Sequence, residues 1–357
     1  MKTYRIIGLM SGTSLDGLDI AHVSFSYNKD RNWDYQLLHA ITVPFEPNLL
    51  EKLKHSTELS AFHFCMLDKE LGDFFAQAVL DFISKNNINP NDIDSIASHG
   101  QTIFHQPDNG LTTQIGCGCT LAIKTGIKVI NDFRKKDVIL GGQGAPLVPI
   151  GDFLLFGKEA EAFLNIGGFS NISYQKQGKT IAYDICPGNL PLNLLANNKG
   201  LAYDQNGNLA RSGEINFFLL DLLNNLDFYI QNAPKSLGIE WLELHFYPLI
   251  KFDKDIENNL RTVIEHVAYQ IGNELNKQNI NSVYITGGGA FNGFLLERIK
   301  HYFTGEMIIP NPKIIAFKEA IIFALLGALK LENIPYCLSS VTGASRDNCG
   351  GLIHLPH

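Results

Sequence analysis

Three short stretches gather glycines with hydroxyl, amide and carboxylate side chains, a composition that suits phosphate chemistry. The first is Met10-Ser11-Gly12-Thr13-Ser14-Leu15-Asp16-Gly17-Leu18-Asp19. A tight turn here exposes successive N–H groups as an anion-binding concavity, and Asp16 beside bound phosphates suits Mg²⁺. Taken alone, the stretch reads equally as an ordinary Gly/Asp β-hairpin. The second, Asn165-Ile166-Gly167-Gly168-Phe169-Ser170-Asn171, suits a second phosphate hairpin. The third, Thr286-Gly287-Gly288-Gly289-Ala290-Phe291-Asn292, suits a flat nucleoside lying against the backbone. For each of these a glycine bulge is the plainer alternative. No G-x-x-x-x-G-K-[ST] occurs, so the phosphate site is not of the Walker type.

Two further residues have the chemistry to act on a substrate. Asp184 follows the apolar run Thr180-Ile181-Ala182-Tyr183 and precedes Pro187-Gly188-Asn189. A carboxylate at a strand end is placed as a general base, or caps a turn. Arg134, after the apolar run Lys128-Val129-Ile130, suits a phosphoryl or carboxylate clamp, or a structural ion pair. His99 leads the polar loop expected at Ser98-His99-Gly100-Gln101-Thr102, with His105 further on. Their spacing disfavours a metal site and leaves His99 to a sugar hydroxyl. Glu319, in the apolar run Lys318–Leu329, either complements a helix N-terminus or binds substrate.

The elements that must position these residues recur along the chain. Strand-then-glycine-turn units occur at Tyr4–Leu9, Ala162–Ile166 and Val283–Thr286, and apolar runs follow the first two turns at once, as in hairpins. Apolar residues spaced three and four apart predict helices through Leu71–Ile83 and Ile256–Leu275. Each is followed by an Asn-rich connection and a strand, the first of them at Ile93–Ala97. Each half thus carries an early glycine hairpin and a late helix–strand unit, which predicts a duplicated α/β chain. The expected fold is two lobes of mixed sheets flanked by helices, with a ligand cleft between them at strand ends. The lobes are expected at 1–135 and 136–357, with the C-terminal helix packing back across them.

The 357 residues suit two domains. With 45% hydrophobic residues, 18% charged residues and a net charge of −7, nothing favours a nucleic-acid or membrane-surface partner. No window reaches the roughly 20 apolar residues of a membrane span, and no signal-peptide core is evident. The six cysteines lie apart except Cys117 and Cys119, which suits reduced thiols in the cytoplasm better than a zinc site.

In order and spacing, the segments from Ile7 to Ala344 resemble one family, the 1,6-anhydro-N-acetylmuramic acid kinases. They are Gly8–Asp19, Ser98–Thr102, Asp132–Arg134, Gly141-Gly142-Gln143-Gly144-Ala145-Pro146-Leu147-Val148-Pro149, Asn165–Ser173, Thr286–Asn292, Lys318–Ala320 and Thr342–Ala344. The resemblance implies an actin-like, ribonuclease H-like fold and a homodimer. It implies that ATP, water and the anhydro sugar give N-acetylmuramate 6-phosphate and ADP, in cell-wall recycling. It assigns Asp184 as the base that activates water. Gly12, Thr13, Ser14, Leu15, Asp16, Gly17, Leu18 and Asp19 would bind the ATP phosphates. Asn165, Gly167, Gly168, Asn171, Gly287, Gly288, Gly289 and Asn292 would complete the nucleotide site. His99, Gly100, Gln101, Thr102, Arg134, Pro187, Gly188, Asn189 and Glu319 would face the sugar or the phosphoryl group, with Mg²⁺ near Asp16. The chain departs from most members at Ile185 and Cys186, where they carry Thr and Gly, and at Asn193, where they carry Asp. That departure keeps two alternatives open, a kinase of the same fold for another sugar and a nucleotide-binding protein of actin or Hsp70 type.

Overall fold

In the computed structural model, which describes residues 2–12, 14–28, 32–233, 235–250 and 255–357, the first apolar run forms strand β1 (Lys2–Ser11). Ile6, Ile7 and Leu9 are buried without alternation, as expected of a strand covered on both faces. β1 pairs antiparallel with β2 (Leu18–Tyr27), and β2 with β3 (Trp33–Val43). On its other side it pairs parallel with β4 (Ser95–Gln106), which in turn pairs parallel with β6 (Val129–Asn131). β5 (Leu111–Ile115) pairs with β4 alone.

The second half repeats this plan. β7 (Ala162–Ile166), β8 (Phe169–Lys176) and β9 (Lys179–Pro187) form an antiparallel meander. β10 (Ser282–Thr286) then pairs parallel with β7, and β11 (Glu306–Ile308) with β10. With β5 set aside, the first sheet runs β3-β2-β1-β4-β6 and the second β9-β8-β7-β10-β11, the same ribonuclease H-like order, and the α/β class with mixed sheets is as expected. β12 (Leu352–His354) joins the first sheet beyond β6.

The long helices end alike. Ala61–Lys85 is capped by Ser60 and Ile256–Lys277 by Asp255, each side chain accepting an N–H three residues on. Past their C-termini, Asn87 and Asn279 take left-handed φ values of 53° and 57°. The next N–H groups, of Ile88 and Ile280, then reach the carbonyls of Ile83 and Leu275 at 3.0 and 3.1 Å. Asn tolerates this conformation, and the bond satisfies a carbonyl that the helix leaves free. The Asn-rich connections are thus one helix stop used twice.

Two expectations are corrected. Ser98–Thr102 is strand rather than loop, because β5 supplies backbone partners from Gln101 onward. Gly100, at φ 76°, kinks the strand without ending it. The chain forms two compact units, Met1–Phe156 with Phe317–His357, and Gly157–Ala316. The division expected at 135/136 falls inside the first unit. Asp137, beyond that point, is bonded to Thr342 and Asn348 of the same unit, and no change in composition marks the true boundaries.

Each unit has its own core. In the first, helix Ala61–Lys85 covers one face of the sheet through Leu71, Phe75, Val79 and Phe82. In the second, helix Ile256–Lys277 does so through Leu260, Val263, Val267 and Ile271. Among the described residues no helix is long and apolar enough to cross a membrane.

Helix Pro312–Leu331 is buried from Ala320 to Leu329, as its apolar run predicts. It lies so close to β1 that a Cβ on Gly8 would stand 2.0 Å from the Ala320 carbonyl oxygen. Both partners are backbone in regular elements and cannot give way. Gly8→Ala is expected to destabilise the protein at the upper end of the roughly 1–3 kcal/mol typical of overpacking, read as a lower midpoint of urea unfolding with unchanged slope.

Candidate active site

In the first unit, the turn between β1 and β2 carries the first glycine motif. Gly12 accepts from the Leu15 N–H at 3.2 Å, and Leu15 itself is left-handed at φ 56°. Gly17 packs where a Cβ would come 2.7 Å from the Val43 carbonyl oxygen. Ser14 and Asp16 are exposed, Gly12 and Leu15 half-buried and Leu18 buried; Thr13 lies outside the described residues. Asp19, the first outward residue of β2, accepts from Thr42 Oγ1 at 2.5 Å. Burial pushes its carboxyl up to about 6 against that bond, and the charges of Asp16 and Glu319 push the same way. Glu319 is open to solvent but crowded by surrounding protein, and that crowding raises its carboxyl, with Lys318 and Arg134 opposing.

β4 passes alongside this turn. Ser11 Oγ donates to Gln101 Oε1, Gln101 Nε2 is 3.4 Å from the Thr102 carbonyl, and Gln114 donates to Thr102 Oγ1 at 3.3 Å. Gly100 is required where a Cβ would meet the Ile115 carbonyl oxygen at 2.7 Å. His99 is buried with both nitrogens engaged. Nδ1 donates to the Gly100 carbonyl at 2.8 Å, and Nε2 accepts from Arg134 Nε and Nη2 at 3.0 and 2.9 Å. Burial, then the Arg134 charge, holds His99 down at about 3, so the ring is neutral and can accept. Arg134 Nη1 donates to the Gly144 carbonyl at 2.7 Å. Burial lowers its guanidinium and Glu319 opposes this, and the group remains a cation. His99 thus faces Arg134, and the bond foreseen to a sugar hydroxyl has no free ring nitrogen in this state.

In the second unit, the other motifs meet at the ends of β7, β9 and β10. Gly188 and Asn189 donate backbone N–H groups to the Gly168 and Gly167 carbonyls, both at 2.8 Å, and Asn189 Nδ2 donates to the Ile166 carbonyl at 3.2 Å. A Cβ on Gly188 would fall 2.4 Å from the Gly167 oxygen. One on Gly287, at φ 83°, would fall 2.6 Å from the Ile166 oxygen and 2.7 Å from Asn165 Oδ1. One on Gly289 would strike the Ile166 side chain, and one on Gly288 would reach Asn189 Nδ2 at 3.3 Å. The third glycine stretch is a helical turn, Gly288–Phe291, and Asn292 caps the helix Gly293–Tyr302 by accepting from the Leu295 N–H at 3.0 Å. Pro187 is buried at the end of β9.

Asp184 lies within β9 rather than after it, because the pairing with β8 continues to Pro187 opposite Phe169. It stands opposite Asn171. Its Oδ2 accepts the Leu237 N–H at 2.8 Å, and its own N–H donates to the Lys235 carbonyl at 3.0 Å. Burial raises its carboxyl, and the Leu237 bond partly opposes this.

The family model for anhydro-N-acetylmuramic acid kinase matches residues 4–356. A protein of that name from Aliivibrio fischeri is 36% identical over 98% of this chain and 99% of its own length. One from Legionella pneumophila subsp. pneumophila is 36% identical over 95% and 94%. One from Sulfurovum sp. is 35% identical over 99% and 100%. The chain belongs to the anhydro-N-acetylmuramic acid kinase family. It is an enzyme of that kinase class.

The three departures from the family pattern now have locations. Ile185 and Cys186 are buried in the core of the second unit, where burial pushes the Cys186 thiol far up; Asn193 is half-buried in helix Asn189–Asn197. Neither of the first two is placed to meet a sugar. Sequence reasoning missed Asp137 and the buried pair Lys318–Asp152, 3.1 Å apart. Asp152 had a visible signal, since it is the one charge in the helix Val148–Phe156. Asp137 had none, as its partners lie about two hundred residues on. Among the described residues no group of three or more His, Cys, Asp and Glu side chains is placed to hold a metal ion, and all six cysteines are free.

Because Gly188 fixes the loop after Asp184, Gly188→Ala is expected to shift that loop by the length of a clash. Shifts of that size lower turnover about 100-fold. Steady-state ADP release with circular dichroism as a folding control checks this.

Proposed function

We propose that this kinase hydrolyses the 1,6-anhydro bridge of 1,6-anhydro-N-acetylmuramic acid and phosphorylates O6 from ATP, giving N-acetylmuramate 6-phosphate and ADP in murein recycling. The observation that carries the reading is Asp184. Its carboxylate is held by the Leu237 N–H and raised by burial, inside a chain that matches the family from 4 to 356. With Oδ2 engaged, Oδ1 is left to take a proton from water as that water attacks the anomeric carbon. The bridge C–O bond breaks, O6 leaves the anomeric carbon with the electron pair, and O6 attacks the γ-phosphorus while ADP departs. Hydrolysis thus generates the nucleophile for phosphoryl transfer in one place, without release of an intermediate.

The first glycine turn would bind the ATP phosphates through its N–H groups. Gly167, Gly168 and Gly287–Gly289 would take the rest of the nucleotide, where the lack of side chains permits close approach. Arg134, with N–H groups remaining beyond those given to His99 and Gly144, would meet the charge that develops on the phosphoryl oxygens. Gln101, Thr102, Asn189 and Glu319 would bind the sugar hydroxyls. Mg²⁺ would sit beside Asp16 and Asp19, where burial, and then the charges of Asp16 and Glu319, hold the Asp19 carboxyl up and a cation would offset that repulsion; bound there, it would neutralise phosphate charge, a role that needs only one or two carboxylates. We place the protein in the cytoplasm, where ATP is available, as a homodimer.

Asp184→Asn is expected to abolish ADP release with the anhydro sugar, while wild type run in H₂¹⁸O places ¹⁸O at the anomeric carbon. Turnover of another sugar in preference would replace the substrate assignment. ATP binding with no sugar product from wild type would replace the kinase reading by a binding function. The base must be ionised, and burial raises its pKa. The acid limb of kcat/KM should therefore lie above the ordinary aspartate range near 4, with activity lost as pH falls through it.

A further inference from the structure

The most distinctive stretch of the sequence, Gly141–Pro149, has so far been given no role, and a buried carboxylate supplies one. Arg134 and Asp137 lie one turn apart, Arg134 as the residue preceding helix Lys135–Ile139 and Asp137 within it. The chain after this helix folds back around Asp137. Gly142 donates its N–H to the Asp137 carbonyl at 2.9 Å, and Gly144 donates its N–H to Asp137 Oδ2 at 2.8 Å. The carbonyl of that same Gly144 accepts from Arg134 Nη1 at 2.7 Å. Gly142 leaves no alternative to this wrapping, since a Cβ there would stand 2.3 Å from Asp137 Oδ2. Gly144 takes φ +66°, and a Cβ on it would meet Val138 at 2.7 Å.

Asp137 is in turn fixed from the far end of the chain. Its Oδ1 accepts from Thr342 Oγ1 at 3.0 Å and from Asn348 Nδ2 at 2.8 Å. The Thr342 carbonyl accepts from the Gln143 N–H at 2.7 Å, and Ser345 donates to the Leu140 carbonyl at 3.0 Å. The carboxylate is wholly buried and accepts three hydrogen bonds, so its oxygens are satisfied within the protein.

We propose that Asp137 is a positioning residue for phosphoryl transfer: through the Gly144 backbone it sets the place of the Arg134 guanidinium, with His99 bracing the opposite edge. The proposal rests on the role given to Arg134 above. Asp137 touches no substrate in this scheme. It holds the Gly144 N–H, and the Gly144 carbonyl, in the next peptide plane across a Cα held at φ +66°, meets Arg134. Loss of the carboxylate frees the loop, and the guanidinium then shares its N–H groups among several poses. Such loss of placement lowers kcat and leaves the KM for ATP nearly unchanged.

The test is a double-mutant cycle on the full-length protein, reading kcat for ADP release with 1,6-anhydro-N-acetylmuramate. Asp137→Asn is expected to lower kcat about 10-fold, with the KM for ATP within about two-fold of wild type. In an Arg134→Ala background the same change should cause almost no further loss, because the only group it positions is gone. Added guanidinium chloride should partly restore Arg134→Ala, and should do so less well in the double variant. If the two losses multiply in full, Asp137 acts on stability in general and the proposal is overturned. If Arg134→Ala turns over like wild type, the assignment of Arg134 fails, and the positioning role goes with it. Should Asp137→Asn not fold by circular dichroism, Thr342→Val takes its place, removing one donor to Oδ1 while keeping the Thr342 carbonyl. Its smaller loss of kcat, about 3-fold, should likewise vanish without Arg134, and a loss that persists there overturns the proposal.

Discussion

A carbonyl oxygen can lie against an α-carbon only if that carbon bears no side chain, and the architecture of this kinase depends on such approaches. Gly188 lies on the Gly167 carbonyl and Gly287 on that of Ile166, and the three strand ends of the second unit therefore meet at backbone distance. Gly8 lets helix Pro312–Leu331 lie on the central strand of the first unit in the same manner. Where side chains are excluded, N–H groups and carbonyls form the local surface, and their positions follow from the sheet rather than from rotamers.

The charged groups are placed on this framework by a second rule, that a buried ion must have its bonds completed. Arg134 is bonded to a neutral histidine and a carbonyl, neither of which cancels its charge. Asp184 receives one N–H, enough to orient it and not enough to offset burial. Asp137, by contrast, accepts from three donors. The number of donors aimed at each carboxylate is what distinguishes them.

Much of the fold was legible. The glycine hairpins, the two amphipathic helices and the Asn stops were all visible, because each is a local conformation that a few neighbouring residues decide. The same holds for the buried helix after Lys318. Ser98–Thr102 was misread as a loop since its side chains are polar. The pairing with β5 that makes it strand is a property of Leu111–Ile115 as well. The candidate residues stood out in the sequence by type and spacing. The use of His99 did not, because its partner Arg134 is thirty-five positions away, and no local pattern announces a ring that must stay neutral. Ile185 and Cys186 looked like substitutions at the site for a related reason. Adjacency to Asp184 in the chain is visible, whereas their burial in the core is decided by what packs against β9.

The amino-acid sequence by itself determined the duplicated α/β plan, the turns that need glycine, the two amphipathic helices and the family to which the chain belongs. Each follows from steric and hydrogen-bonding limits that act over a few residues, or from motifs preserved in order. Tertiary structure alone decided where the units divide, that Gly141–Pro149 wraps a carboxylate, and that Thr342 and Asn348 secure it across more than two hundred residues. Those contacts form between segments whose separation in sequence carries no trace of their meeting, because buried polar groups choose partners by position in space.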